Sequence, residues 1–475
     1  MNIMPLVVGP IVGKTTAGSV RLWGCGDGSF KSGQPPRRCF GLARIAKGNG
    51  PFGSPVMFKM KPHFDFTGIV NFGGLNSDTA YRYQIGYFNA ELEPSTINEA
   101  AMNDSSWSSA SDGSFITAPS SANKPVSFVF GSCRYLLRMF GGSFFDDRGD
   151  KTFRSIMKQV REKNMRTDFA LMVGDQIYAD DLKFVSPDDS LDEFNRRYRE
   201  VFSQDHIRDV MSHMPTYMIL DDHEIRDNWS QDQAYCEYNL YVAAMQSYHS
   251  YQLVHGPAFD LTEDPNVSDI PKKLWYAFRH GSAKIFVMDT RTERFDKPED
   301  VRDMIGSDQM NALKQWLTED ESSPVVRFVV SSVPFFPEYK PDPSDKWAGF
   351  TEQRAEILDH IREHNVKRVV FLGGDVHCSM TAQLAHASDP NFKVSSVISS
   401  SFFWPYPQGR RSDFKLSGHL DQSEGASYRV SQASKVWSED NFTRVSYDPA
   451  AGSDKLVVRF FSRKGKLLQT KSLSL

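Results

Sequence analysis

The chain has no run of about 18 consecutive apolar residues, so no segment is expected to cross a bilayer as a helix. Cysteine is scarce. Its five residues, Cys25, Cys39, Cys133, Cys236 and Cys378, lie at wide, irregular spacings, which excludes a CxxC zinc pattern and a small disulfide framework. Net charge is nearly absent as well. A balance of -4 over 475 residues argues against an extended or sequence-specific nucleic-acid face, although a small basic pocket stays open. No Lys or Arg precedes Lys14, and Pro5, Gly9 and Pro10 break the mildly apolar Met1–Val12 stretch. That is a poor signal peptide, and the expected location is cytoplasmic. There is no internal repeat and no low-complexity tract.

Apolar residues make up 40% and aromatics 13% of the chain, enough to build sizeable cores, and the length predicts two domains. Residues 1–118 show short alternating runs such as Ser19-Val20-Arg21-Leu22-Trp23 and Ala80-Tyr81-Arg82-Tyr83-Gln84-Ile85, which predict strands. The turn-then-tyrosine stretch Gly74 to Tyr81 resembles that of fibronectin type III and immunoglobulin-like sandwiches, so an N-terminal β-sandwich is expected. A polar linker, 119–125, follows. From 126 to 475 short all-apolar runs alternate with longer helical patterns, including helices over Leu191 to Met211 and Gln233 to Leu253. This alternation predicts a layered α/β domain.

Four of the predicted strands end in residues with ligand-type side chains: Gly131-Ser132-Cys133-Arg134-Tyr135, Gly174-Asp175-Gln176-Ile177-Tyr178-Ala179-Asp180, Asp221-Asp222-His223-Glu224 and Gly373-Gly374-Asp375-Val376-His377. The carboxyl ends of strands in an open α/β sheet line one crevice, so clusters far apart in sequence can converge into a binuclear metal site. Cys133 as thiolate and Tyr178 as phenolate suit a small, highly charged ion such as ferric iron. Asp222, Asp375 and Asn228 offer oxygen to a harder divalent ion, with Asp175 placed to bridge. Two cations about 3.5 to 4 Å apart can activate water and neutralise phosphoryl oxygens. His223 is expected beside the ions as a proton donor, and Arg134 and Arg291 as substrate-binding forks.

Taken singly, each of these residues has an ordinary reading: Cys133 as a small hydrophobe, Tyr178 as core, His377 as a satisfied histidine, and Arg134 and Arg291 as structural ion pairs. Their joint appearance at four strand ends is what favours a site. Two other matches are set aside. Gly9 to Thr15 ends like a P-loop but has the wrong glycine spacing and leads into a strand, and His360 to His364 fits H-x-x-E-H with Glu363 facing outward.

With Trp347-Ala348-Gly349-Phe350 and Arg354, these clusters resemble those of the PhoD-like phosphatases, a branch of the calcineurin-like metallophosphoesterases. The resemblance implies a four-layer α/β/β/α core behind the N-terminal sandwich and metal-dependent hydrolysis of phosphate esters. It implies metal ligands at Cys133, Asp175, Tyr178, Asp222, Asn228, Asp375 and His377, and Fe3+ with Ca2+, or Zn2+ or Mn2+ in their place. Arg134 stands where the family commonly has Gln. The substrate would be a small-molecule or polymer phosphate ester. The competing readings are a non-catalytic binding protein stabilised by metal and a hydrolase directed at diesters or phospholipids.

Overall fold

A computed structural model describes the chain except for residues 29–37, 91–96, 140–143, 146, 164, 182–186, 260–272, 297–301, 320–323, 421–426 and 453. Two large sheets dominate residues 126–475. The seven-stranded sheet runs in the order Thr216–Ile219, Phe169–Val173, Val126–Arg134, Asn441–Tyr447, Lys455–Ser462 and Leu467–Ser474, with Ser400–Phe403 also paired to Val126–Arg134. Its first three strands are parallel, and the C-terminal hairpin extends it in antiparallel fashion. The eight-stranded sheet has Ala283–Val287, Val326–Val330, Val369–Gly373 and Lys393–Ile398 parallel at its centre.

These central strands read as continuous apolar runs because both of their faces are covered. Val370 and Leu372 enter the core shared by the two sheets, while their neighbours Val369 and Phe371 enter a second core with Leu313, Ile357 and Leu358. Those three residues belong to helices Ser307–Thr318 and Thr351–Glu363. The sheets face each other directly. Phe128 meets Phe328 edge-on at 5.2 Å between centroids, and Tyr217 stacks on Phe278 at 3.9 Å. Helices Asp150–Glu162, Leu191–Phe202 and Asp205–His213 contribute Phe153, Phe194 and Val210 to the first core.

Two expected helices are interrupted. The segment expected from Leu191 to Met211 stops at Phe202 and restarts at Asp205, with Gln204 extended. The break lets the Asp150 carboxylate accept from the backbone of His206 and Ile207 at 2.8 and 3.0 Å, a distant cap that local sequence does not reveal. The segment expected from Gln233 to Leu253 becomes a 3-10 turn at Gln231–Tyr235, a helix at Tyr238–Tyr248 and a π turn at His249–Leu253.

The first 118 residues hold a three-stranded sheet (Val8–Thr15, Val20–Cys25, Thr67–Phe72) and a four-stranded sheet (Val56–Met60, Arg38–Lys47, Ala80–Ala90, Ser111–Ile116). Leu22, Val70, Ile85 and Phe115 fill the space between them. The Tyr81 hydroxyl accepts from the backbone of Asn76 at 2.9 Å, closing the turn that the sequence singled out. The P-loop-like stretch lies in the Val8–Thr15 strand.

This part is keyed into the rest of the chain. Val8, Ile11 and Trp23 join the main core, the Trp23 indole donates to the Ser250 carbonyl at 2.8 Å, and the Lys14 backbone donates to the His255 carbonyl at 2.8 Å. Burial at this junction pushes His249 down to about 4 and His255 down to about 3, from an ordinary 6.5. Both are neutral when folded and bind a proton when unfolded in acid, so their contribution is intact above pH 6.5 and is lost as pH falls. Each should cost about 1.4 kcal/mol of stability per pH unit between about 6.5 and 4.5. Urea denaturation across that range should show the acid slope of a His255→Gln variant reduced by about 1.4 kcal/mol per unit. An unchanged slope would contradict this account.

Candidate metal centre

Four strand ends converge where the two sheets meet. Ten non-glycine residues among those described have positive φ, and five of them are Cys133, Asp175, Asn228, Asp375 and His377, at φ of 50 to 70°. Such backbone is costly for these residue types and is retained where surrounding structure holds a side chain in one direction. Gly174, at φ 103°, supplies the turn before Asp175, where a Cβ would stand 2.5 Å from that of Asp221.

Asp175 is the meeting point. Its Oδ2 accepts from the Cys133 thiol at 3.2 Å and from the Tyr178 hydroxyl at 3.3 Å, so residues from two strand ends share one oxygen. Ser132 and Ser400 hydroxyls flank the Cys133 sulfur at 3.1 Å each, and the Ser132 hydroxyl also accepts from the Asp375 backbone at 3.0 Å. Burial, together with the charge of Asp175, holds the Cys133 thiol and the Tyr178 phenol well above their ordinary values.

Asp222 and His223 complete a group with Asp175 whose candidate ligand atoms lie within 4.8 Å of one another. Asp221, Asp222 and Asp375 form a second such group, so Asp222 belongs to both. His223 is oriented through Nδ1 by the Asp180 carboxylate at 2.7 Å, which leaves Nε2 for the cluster side. Burial opposes its charge, yet Asp222, Asp180 and Asp175 together hold its pKa well above the usual value. Glu224 turns inward and accepts from the backbone of Asp175, Gln176 and Asp221 at 3.1, 2.7 and 2.8 Å, fixing two strand ends with one side chain.

Both arginines expected as substrate forks are buried and engaged by carboxylates. Arg134 is 2% exposed, donates to the Val201 carbonyl at 2.8 Å and pairs with Asp150 at 3.2 Å, beneath the helix break. Arg291 is fully buried and divides its guanidinium between Asp221 at 2.5 Å and Asp345 at 2.6 and 3.0 Å. It stands 3.7 Å from Asp222, close enough with His223 to hold that carboxyl down to about 2 against the effect of burial.

Asn228 is exposed and contributes its backbone N–H to Asp222 Oδ2 at 2.6 Å. His377 stacks on Trp404 at 4.0 Å, and burial first, then the charge of His223, pushes it down to about 3, which keeps the ring neutral. In the stretch Phe402-Phe403-Trp404-Pro405-Tyr406, Phe402 and Phe403 are buried, while Trp404 packs beside Tyr135 and Tyr178 and Tyr406 beside Tyr135. In the segment that fits H-x-x-E-H, His360 is spent on the Lys314 carbonyl and Glu363 is exposed.

Sequence reading placed Asp180 and Glu224 in the clusters without giving them a task, and missed Asp345 and Lys346 altogether. Lys346 is buried, with its ammonium 2.5 Å from both Asp345 and Asp375. The signal for Asp345 and Lys346 was their position directly before Trp347, whose indole is anchored on Ser331.

The residues fit metal ions on structural grounds. Among the described residues, Asp175 Oδ1, Asp221 Oδ2 and Asp222 Oδ1 are buried with no hydrogen-bond partner, a costly arrangement that a cation beside them would relieve. Thiol, phenol, imidazole and carboxylate are all ligand types once deprotonated.

This is an α/β protein whose facing sheets gather a mixed sulfur, nitrogen and oxygen donor set at their strand ends. The model of the PhoD-like phosphatases matches residues 137–440, more than half of the chain, and the chain belongs to that family. It is 26% identical to alkaline phosphatase D of Bacillus subtilis (strain 168) over 223 residues, covering 41% of this chain and 36% of the relative, so the match spans about a third of that protein. The solved structure of PhoD superposes with a TM-score of 0.69 at 17% identity over 99% of this chain and 89% of its own, which shows a shared fold. A dimetal phosphatase from Danio rerio aligns at 14% identity and a TM-score of 0.42, over 74% of this chain and 98% of its own, a likeness too slight to bear on the chemistry here.

If Arg134 is a strut, Arg134→Met should lower stability in urea by about 3 to 5 kcal/mol, the range for breaking a buried ion pair, while metal content stays at the wild-type level. A variant of full stability with lost affinity for phosphate would restore the substrate role instead.

Proposed function

We propose that this protein hydrolyses phosphate esters at a centre of two or more metal ions held by Cys133, Asp175, Tyr178, Asp222, Asp375 and His377, with Asn228 at its edge. The observation that carries the reading is the convergence of the Cys133 sulfur and the Tyr178 hydroxyl on one oxygen of Asp175, with Asp222 and His223 adjoining. Fe3+ at the Cys133 and Tyr178 side and Ca2+ toward Asp222 and Asp375 match the donors, with Zn2+ or Mn2+ as substitutes. Such ions would supply Lewis acidity toward phosphoryl oxygens and a water of lowered pKa.

The protein's own groups then have defined tasks. Asp175 joins the two halves of the donor set. His223, its Nδ1 engaged by Asp180, uses Nε2 to give a proton to the leaving oxygen of an in-line displacement. Arg291 holds Asp221 and Asp222 in place, and Trp404 and Tyr178 narrow the mouth. The finer architecture goes with this reading: the two facing sheets and their helices form a four-layer α/β/β/α core, and residues 1–118 form a β-sandwich. A monoester, a diester and a phospholipid headgroup all fit the same chemistry, with selectivity lying in loops around 136–151 and 331–347. Against the non-catalytic alternative stands the close approach of the Asp175, Asp222 and His223 ligand atoms and of those of Asp221, Asp222 and Asp375. Among the described residues no helix is long and apolar enough to cross a membrane.

Hydrolysis of a chromogenic phosphate mono- and diester should be abolished by chelator and by Asp175→Ala, and reduced about a hundredfold to ten-thousandfold by His223→Ala. Undiminished turnover in Asp175→Ala would remove the proposed centre. As isolated, the protein should be coloured by thiolate or phenolate charge transfer to ferric iron, with the band lost in Tyr178→Phe and in Cys133→Ala. Elemental analysis finding zinc alone would refute the iron assignment and leave the hydrolytic reading standing.

A further inference from the structure

A second concavity, separate from the strand-end centre, lies on the flank formed by helices Asp150–Glu162 and Asp205–His213 and the Arg463–Lys464 turn. It encloses about 1010 Å³. Seven Lys and Arg side chains line it against two carboxylates, Glu162 and Asp209, in a chain whose net charge is -4. The positive charge is ordered. Lys151, Arg154, Lys158 and Arg161 recur at helical spacing and form one stripe about 15 Å long on the open face of their helix. Lys151, Lys158, Arg161 and Arg463 lean on Asp147, Glu162, Asp209 and Asp440, whereas Arg154 and Lys464 make no hydrogen bond or ion pair among the described residues.

We propose that this groove holds the non-reacting length of a flexible phosphodiester polymer whose terminal ester is presented to the metal centre. The inference deepens the phosphoesterase reading and rests on it for the second half of that statement. Topology supports the connection. Arg148, at the head of the groove, lies over the Phe403 ring at 5.2 Å. Phe403 packs in one cluster with Tyr135 and Tyr178, so the groove starts one side chain away from the candidate centre. From there the helix runs back down the flank.

Phosphate is the ligand chemistry the lining favours. Guanidinium and ammonium groups at regular spacing neutralise a repeating anion and carry no base-reading pattern. A protein partner needs a buried apolar anchor. Met157 is the one apolar residue in this lining and is itself 4% exposed.

The test uses a fluorescein-labelled oligothymidylate, a flexible phosphodiester chain, with wild type and an Arg154→Glu/Lys158→Glu double variant. Both altered side chains are exposed, so folding should survive, and an unchanged Tm checks it. Wild-type affinity should fall with salt at a log–log slope of about -3, and the variant should bind at least about tenfold more weakly with a shallower slope. Turnover of thymidine p-nitrophenyl phosphate should stay within about twofold of wild type, while the kcat/KM advantage of an oligothymidylate ending in the same ester, about tenfold, should disappear in the variant.

Equal polymer binding by variant and wild type would overturn the groove and leave the phosphoesterase reading untouched. Polyglutamate competing as well as oligothymidylate would overturn phosphate recognition. If wild type turned over neither ester, the hydrolytic reading would fall, and the binding measurement would still decide whether the groove takes the polymer.

Discussion

Carboxylates crowded into a protein interior repel one another and lose the water that stabilised them, so they can be kept there only if something offsets their charge. Asp175, Asp221, Asp222, Glu224 and Asp345 are all buried around one point, with Asp375 half-buried beside them. The fold supplies part of the offset itself. Arg291 spans Asp221 and Asp345, Arg294 adds a second guanidinium to Asp345 at 2.5 Å, and Lys346 bridges Asp345 and Asp375. Glu224 is held by three backbone N–H groups and by Gln252 at 3.1 Å. The compensation is incomplete: among the described residues one buried oxygen each on Asp175, Asp221 and Asp222 makes no hydrogen bond, although Arg291 stands 3.7 Å from that of Asp222. On Asp175, the other oxygen is the one that meets the thiol and the phenol.

The same accounting explains which arginines could be understood from sequence. Arg134 and Arg291 both follow strand ends and both looked like phosphate forks. Each was equally compatible with an ion pair, because the residue that claims it is remote: Asp150 lies beyond a loop, and Asp345 is 54 positions away. Asp150 also caps the second half of a helix that periodicity joined to the first, so one unreadable contact accounts for both a misplaced arginine and a missed helix break. The central strands, by contrast, were legible because burial on both faces writes a continuous apolar run into the sequence. The four ligand clusters were legible because a strand end followed by polar residues is a local pattern. The left-handed backbone at Cys133, Asp175, Asp375 and His377 was not, since nothing in a Cys or a His announces positive φ.

The N-terminal sheets show a related limit. Their alternating pattern indicated strands and a separate core, and that core exists around Leu22, Val70 and Phe115. The pattern could not show that Trp23 and Ile11 point the other way, into the core beneath the π turn at His249–Leu253. Residues near that turn, Ser250 and His255, receive the N-terminal strands, while Glu224, which orders the strand ends, is reached from the same turn by Gln252. The junction and the candidate centre are thus braced by neighbouring residues of one short segment.

The electrostatics of the two proposed sites divide the work by range. Arg291, Arg294 and Lys346 are committed to carboxylates, so the strand-end centre by its own side chains is not attractive to a phosphate. Attraction there depends on cations held by the donor set, and it acts over the few ångströms at which phosphoryl oxygens meet their partners. The flank groove carries its excess positive charge on exposed side chains, where screening limits its reach to about 8 to 10 Å at ordinary ionic strength. A compact ester is too small to gain from that field once it is seated at the mouth, whereas a long polyanion gains along its whole length. The proposed path runs over Arg148, which lies on Phe403 in the cluster that holds Tyr178, with the weaker and longer-reaching field outside the stronger and shorter one.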